Sequence, residues 1–306
     1  MGGVTMSQED WTVSTASAGG KTVARTYEIS VRMAQAYAAG VGDWNPAYFL
    51  DDSPGGVLAP PCLVYALQWN ARMMPGVRQG TAPPTRGVHA TTDLRFERPI
   101  RAGDVLTVQG TRIAVCQRKP GVYVVTRYEI RDPTGALVAT VDDGGIVRGA
   151  CTDGADVTLA GTPPLPTPAV DKRDGWSTTV PIVREAAHVY TECADIWNPI
   201  HTERRVALDE GLPDIILQGS AIMALAAREV TNRVAGGDAT RLARLAGQFR
   251  AMVVPGSEIQ VVCSGVCSSS QPTSSGTDEQ VAFFEVLNTQ GETAVRGGVA
   301  MFRGRP

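Results

Sequence analysis

Hydrophobic and polar positions run through the same order twice along this chain. In each half a short stretch of helical period, residues 31–39 and then 183–193, leads into a Trp-Asn-Pro triplet. Proline cannot continue a helix and pushes the residue before it toward extended geometry, so both triplets are predicted turns. A longer apolar helix follows, over residues 60–74 in the first half and 219–234 in the second. In the second, Ile222, Met223, Leu225, Ala226 and Val230 cover most of the circumference, and Gly236-Gly237 closes the element. Four runs rich in β-branched or aromatic residues come next in each half: 89–96, 105–116, 122–130 and 137–147, then 245–253, 258–266, 280–287 and 293–302. A helix that is apolar nearly all round has to be enclosed, and an antiparallel sheet wrapped about it does so. The pattern predicts an α+β protein.

The repetition reaches individual residues. The string YAAGVGDWNPAY at 37–48 recurs as YTECADIWNPIH at 190–201, 153 positions later. The same offset carries Phe96 onto Phe249 and Gly103 onto Gly256. Self-similarity at one spacing in three separate places marks a duplicated unit. Residues 151–178, rich in Pro, Gly, Thr and Asp and without periodicity, are predicted to link a domain at 1–150 to a second at 179–306. The two units are expected to pack as a pseudo-dimer within one chain, an arrangement compatible with a homodimer of whole chains.

Composition narrows the partners. With 43% hydrophobic and 19% charged residues the chain is globular rather than disordered. Lys plus Arg number 28 against 31 Asp plus Glu, a formal charge of −3, and no basic run is long enough to follow a phosphate backbone. Nucleic acid is therefore not expected as a partner. No window approaches about 18 uninterrupted apolar residues, and the amino terminus lacks a charged segment followed by an apolar one. A cytoplasmic protein without a membrane partner is expected. Six cysteines are expected to stay reduced, and Cys263 with Cys267, the one close pair, has no histidine nearby. Neither a metal nor a cofactor is called for.

The order of short helix, WNP turn, central helix and sheet, with the phrases FERPIRAGD and RAMVVPGSE, resembles the MaoC-like (R)-specific enoyl-CoA hydratase and dehydratase family in its tandem form. That resemblance implies a double hotdog, two antiparallel sheets each wrapped around a long central helix. It also implies an acyl thioester of coenzyme A or of an acyl carrier protein as substrate. In the family's signature, Tyr, a few residues, then Ser-Gly-Asp-x-Asn-Pro-x-His, the Asp and His hold and activate the water that adds to C3 or leaves it. An amide at the start of the central helix polarises the thioester carbonyl. A carboxylate and an imidazole supply base and acid near neutral pH, and a helix amino terminus stabilises an enolate oxygen.

Carried over position by position, the second half supplies Asn198, Pro199 and His201, but Ile196 stands where the family has Asp. Asp195 sits one residue earlier, within reach if the turn bulges. Gln218 and Gly219 stand at the start of the second central helix, where Gly lets a carbonyl approach the backbone amide. In the first half Asp43 and Asn45 match while Tyr48 replaces His, and Pro60-Pro61 removes amide donors at the helix start. Such a half in the family shapes the acyl tunnel, with Asp43 a structural carboxylate accepting turn amides.

The expected catalytic set is accordingly His201, Asp195, Asn198 and Gly219, with Asp43, Tyr48, Ile196 and Gln218 lining the substrate pocket. His188 and His89 complete the histidines, and His188, on the preceding helix, is read as structural. Hydration or dehydration across C2–C3 is the leading function. An enolate-based isomerase or cyclase with a repurposed site, and a catalytically silent acyl-binding module, are the alternatives.

Overall fold

The computed structural model describes residues 11–304 apart from 53, 76–79, 82–85, 168–174 and 270–278. The expected linker is thus described only in part, and residues 1–10 lie outside the described residues. The first half contains strands β1 (Thr12–Val13), β2 (Arg25–Glu28), β3 (Gly87–Phe96), β4 (Val105–Arg118), β5 (Gly121–Arg131) and β6 (Leu137–Arg148), with helices α1 (Val31–Gly40) and α2 (Val64–Asn70). Two short strands, β7 (Cys151–Thr152) and β8 (Val157–Thr158), form in the segment read as linker. The second half contains β9 (Trp176–Ile182), α3 (Ala186–Ala194), α4 (Arg204–Asp209), α5 (Gly219–Val234), β10 (Leu242–Phe249), β11 (Ser257–Ser269), β12 (Glu279–Asn288) and β13 (Thr293–Phe302).

The strands form one long sheet in the order β2-β4-β5-β6-β3-β10-β13-β12-β11-β9, with β8 added beside β4. Each half curls round its own helix, and the halves meet edge to edge where β3 pairs antiparallel with β10. Edge pairing satisfies backbone groups that a lone half would leave open. Asp93 pairs with Ala246, its own equivalent 153 positions on, so a pseudo-twofold axis passes through that pair. On the helix side the axis runs between α1 and α3. There Tyr37 and Tyr190, again 153 apart, bring their hydroxyls to 3.0 Å with rings edge to face. A Cβ on Gly40 would lie 2.6 Å from the Cβ of Cys193, its repeat equivalent, so glycine is what lets these two helices touch.

The core follows the sequence pattern. Met223, Ala226 and Val230 of α5 are fully buried among Leu245, Ile259, Val261, Phe284 and Val295 from the second half's strands, within one continuous apolar cluster that also includes Val64, Leu67, Leu94, Leu106 and Ile130 of the first half. One expectation changes: the helix read over 60–74 is a 3-10 turn at Pro61–Leu63 followed by α2, which stops at Asn70. Pro75 offers no N–H to Ala71 and disfavours helical geometry at Met74, and Ala71 instead donates back to the Gln68 carbonyl at 3.0 Å.

On the outer face a charged cluster straddles the seam. Arg244 of β10 donates to both oxygens of Asp93, at 3.0 and 2.6 Å, while Arg127 does the same for Asp142 at 2.7 Å each. The strap crosses above it, where the Pro163 and Pro164 carbonyls accept from Arg244 and Thr162 Oγ1 donates to Asp142. Two buried carboxylates are thereby paired rather than stranded.

Candidate active site

Each Trp-Asn-Pro triplet ends in a 3-10 turn capped by its own asparagine. Asn45 Oδ1 accepts from the Ala47 amide at 3.0 Å and Asn198 Oδ1 from the Ile200 amide at 3.4 Å. This is the local chemistry that Asn favours ahead of a helix turn. The second turn, Pro199–His201, presents His201. Its Nδ1 lies 2.8 Å from the Ile216 carbonyl oxygen. A carbonyl only accepts, so Nδ1 carries the proton and Nε2 keeps a bare lone pair. Burial lowers the pKa of this ring to about 4, the Ile216 contact pulling the other way. His201 is therefore neutral at physiological pH.

Ile216 leads within three residues to Gly219, the first residue of α5. The first-turn amides of a helix have no intrahelical acceptor, and the helix dipole favours negative charge there. Phe249 of β10 lies against this point, and a Cβ on Gly219 would come 3.1 Å from Phe249 Cδ1. Gln218 is buried. Its Nε2 donates to the Ala187 carbonyl at 3.1 Å and to Thr191 Oγ1 at 2.8 Å, and its Oε1 has no hydrogen-bond partner among the described residues.

Ile196 is packed into the main apolar cluster. Asp195 occupies the left-handed region, φ 52°, at the end of α3, and both its carbonyl (3.1 Å) and its carboxylate (2.9 Å) accept from Asn70 Nδ2 at the end of α2. In the first half, Asp43 Oδ1 accepts the Asn45 amide at 3.2 Å, and burial raises this carboxyl's pKa against the opposing influence of that amide and of Arg228. A cavity there is lined by Asp43, Tyr48, Pro60, Cys62, Arg228 and Leu242, among others. Arg228 and Leu242 come from the second half.

The structure thus gathers His201, Asn198, Gln218 and Gly219 at one end of α5, directs Asp195 onto Asn70, and gives Asp43 and Tyr48 a cavity of their own. Sequence reasoning assigned no part to Ile216, Asn70 or Phe249. Phe249 alone left a trace, as the repeat partner of Phe96.

Comparison with known proteins accords with this architecture. Residues 16–141 match the "FAS1-like, dehydratase domain region" and residues 168–280 the "MaoC like domain". The chain belongs to the MaoC-like dehydratase family. A UPF0336 protein of Streptomyces griseus is 32% identical over 121 residues, 37% of this chain and 80% of that protein. A MaoC-like dehydratase from Phytophthora capsici superposes with a TM-score of 0.78 at 20% identity, covering 95% of this chain and 99% of that one. A Mycobacterium tuberculosis protein with a double hotdog fold does so with a TM-score of 0.63 at 16% identity, covering 94% and 96%. This MaoC-like chain is a double hotdog, an intramolecular pseudo-dimer. Among its described residues no helix is long and apolar enough to cross a membrane.

Proposed function

We propose that this MaoC-like protein is a hydratase or dehydratase of acyl thioesters carried by coenzyme A or an acyl carrier protein, working at the α5 end of the second half. The observation that carries the reading is the neutral His201, fixed by Ile216 with Nε2 unprotonated, three residues in sequence from the carbonyl it binds to the Gly219 amide. In hydration, His201 takes a proton from water as its oxygen attacks C3, and the α5 amino terminus receives the charge that develops on the thioester oxygen. Asn198 holds the turn, Gln218 and Ile196 shape the pocket, and Asp195 anchors the turn's start. Asp43 and Tyr48 line the first half's cavity, on the acyl side.

The test is hydration of crotonyl-CoA, followed by loss of the enoyl absorbance, with His201→Ala as control. A fall of about 10²- to 10⁴-fold in kcat/KM is expected for the variant. No turnover by the wild-type chain of either short or long enoyl thioesters, or an unaffected variant, overturns the reading. A second reading, a silent acyl-binding module, is favoured by Ile196 replacing the family's carboxylate. It requires thioester affinity without turnover in the wild type, and affinity retained in His201→Ala.

A further inference from the structure

The remaining question is what supplies the second acid/base group, since position 196 holds an apolar side chain buried in the core. Leu242, from the second half, lines the first half's cavity together with Tyr48. The residues 153 positions before Leu242 and after Tyr48 are His89 and His201. The pseudo-twofold relation that carries the first half's cavity onto the α5 end of the second half therefore carries Leu242 and Tyr48 onto a pair of imidazoles, one from each half.

His89 is placed for such a role by a defect in its strand. The register between β3 and β6 slips between His89 and Thr91, which pair with the adjacent residues Gly145 and Gly144. Ala90 is thus the extra residue of a β-bulge, and a bulge re-aims the side chains beside it. Gly144 makes room, since a Cβ there would fall 2.1 Å from Thr91 Oγ1. As a result His89 turns to the face that carries Asp143, and its Nε2 lies 2.9 Å from Asp143 Oδ1, an approach off the line of an ideal hydrogen bond. The imidazole ring packs on Phe249 with centroids 4.3 Å apart, with Tyr65 edge-on at 6.1 Å. Phe249 is the ring that also lies against Gly219. Both members of the pair keep some access to solvent, at 23% for His89 and 32% for Asp143. Nδ1 has no hydrogen-bond partner among the described residues.

We infer that His89, oriented by Asp143, is the second acid/base group of the second half's pocket, supplied across the pseudo-twofold seam in place of the carboxylate missing at Ile196. The inference rests on the hydratase reading and divides its protons. Water oxygen bonds to C3 and gives a proton to His201 Nε2, while the C2–C3 π pair moves onto the thioester as an enolate. C2 then takes a proton from His89 Nδ1, with Asp143 as counter-ion, and the thioester carbonyl re-forms. His201 releases its proton to solvent and His89 regains one, so one water is added overall. Dehydration runs the same transfers backwards.

Exchange of the C2 protons of butyryl-CoA in D₂O isolates the His89 half of this scheme, because that reaction needs no water at C3. With His89→Gln, crotonyl-CoA hydration is expected to fall at least about 100-fold in kcat with KM within about threefold, and C2 exchange to fall with it. With His201→Ala, hydration is lost but C2 exchange stays within about fivefold of wild type. Asp143→Asn is expected to lower kcat about tenfold and to move the limb of its pH profile that reports the acid. If His89→Gln keeps both rates within about threefold while His201→Ala abolishes hydration, the inference is wrong and the hydratase reading stands. A wild-type chain inactive in both assays overturns both. Should His89→Gln fail to fold, an Asp143→Asn variant with unchanged kcat and pH profile overturns the inference by itself.

Discussion

The two turn-and-helix sites related by the pseudo-twofold axis have the same frame and different chemistry. In the first half a buried carboxylate, Asp43, faces Tyr48 and a helix start made of Pro60 and Pro61, with Leu242 contributed from across the seam. In the second half the carboxylate position is Ile196, the Tyr48 position is His201, the helix begins at Gly219, and the repeat equivalent of Leu242 is His89. Proline at a helix start has no N–H to offer an oxyanion, whereas Gly219 has. The two copies thus differ at the helix start, where one has prolines and the other a free amide, and at the turn, where one has a phenol and the other an imidazole.

That contrast is testable by exchanging its parts. The largest effect is expected from Ile196→Asp. The new carboxylate enters an apolar cluster, without the Asn45 amide that Asp43 bonds or the Arg228 charge that helps hold it ionised. A loss of about 4 kcal/mol in a urea melt at neutral pH is expected, against less than about 1 kcal/mol for Asp43→Asn, which keeps the acceptor and removes the charge. Equal costs would mean that the two pockets are electrostatically alike.

Next comes the seam between the halves. Arg244→Ala removes the bidentate partner of Asp93, and Arg95 remains 3.5 Å away as partial compensation. About 3 kcal/mol is expected, visible as a lower unfolding midpoint. Gly40→Ala forces a Cβ against Cys193 on the axis and is expected to cost about 2 kcal/mol. More than half of that loss should return in a Gly40→Ala/Cys193→Gly double variant, and simple additivity would show that the helices shift apart instead.

The last effect concerns acid. The folded chain lowers the His201 pKa from 6.5 to about 4, so between those values the unfolded chain binds the extra proton. Stability contributed by the neutral ring is complete above about pH 6.5, falls as pH drops toward 4, and levels below. Subtracting the pH profile of His201→Gln from that of the wild type should reveal this slope. A flat difference would show that the ring titrates as if exposed.

Much of the frame was legible in the chain itself. The duplicated WNP strings and the single offset of 153 residues gave two α+β units, and the strand runs and α5 emerged close to their observed bounds. Among the labelled elements β1, β2, β7, β8, β9 and α4 were missed, all short and at sheet edges, in a two-stranded sheet or within a loop. Their hydrogen bonds and contacts are supplied by neighbours more than by their own periodicity. At the site, His201, Asn198, Gln218 and Gly219 were legible because a turn and a helix start are local features with local residue preferences.

What sequence alone determined is therefore the pair of units and the residues that each contributes to its own turn and helix end, since period and capping act over a few neighbouring positions. Only the tertiary structure decided which strand of one unit faces the helix of the other. That choice depends on β3–β10 edge pairing and on a one-residue bulge at Ala90, which reverses the face of His89 and brings it to Asp143. Alternation along a strand places side chains relative to their own backbone, and a single inserted residue undoes it without changing composition or pattern.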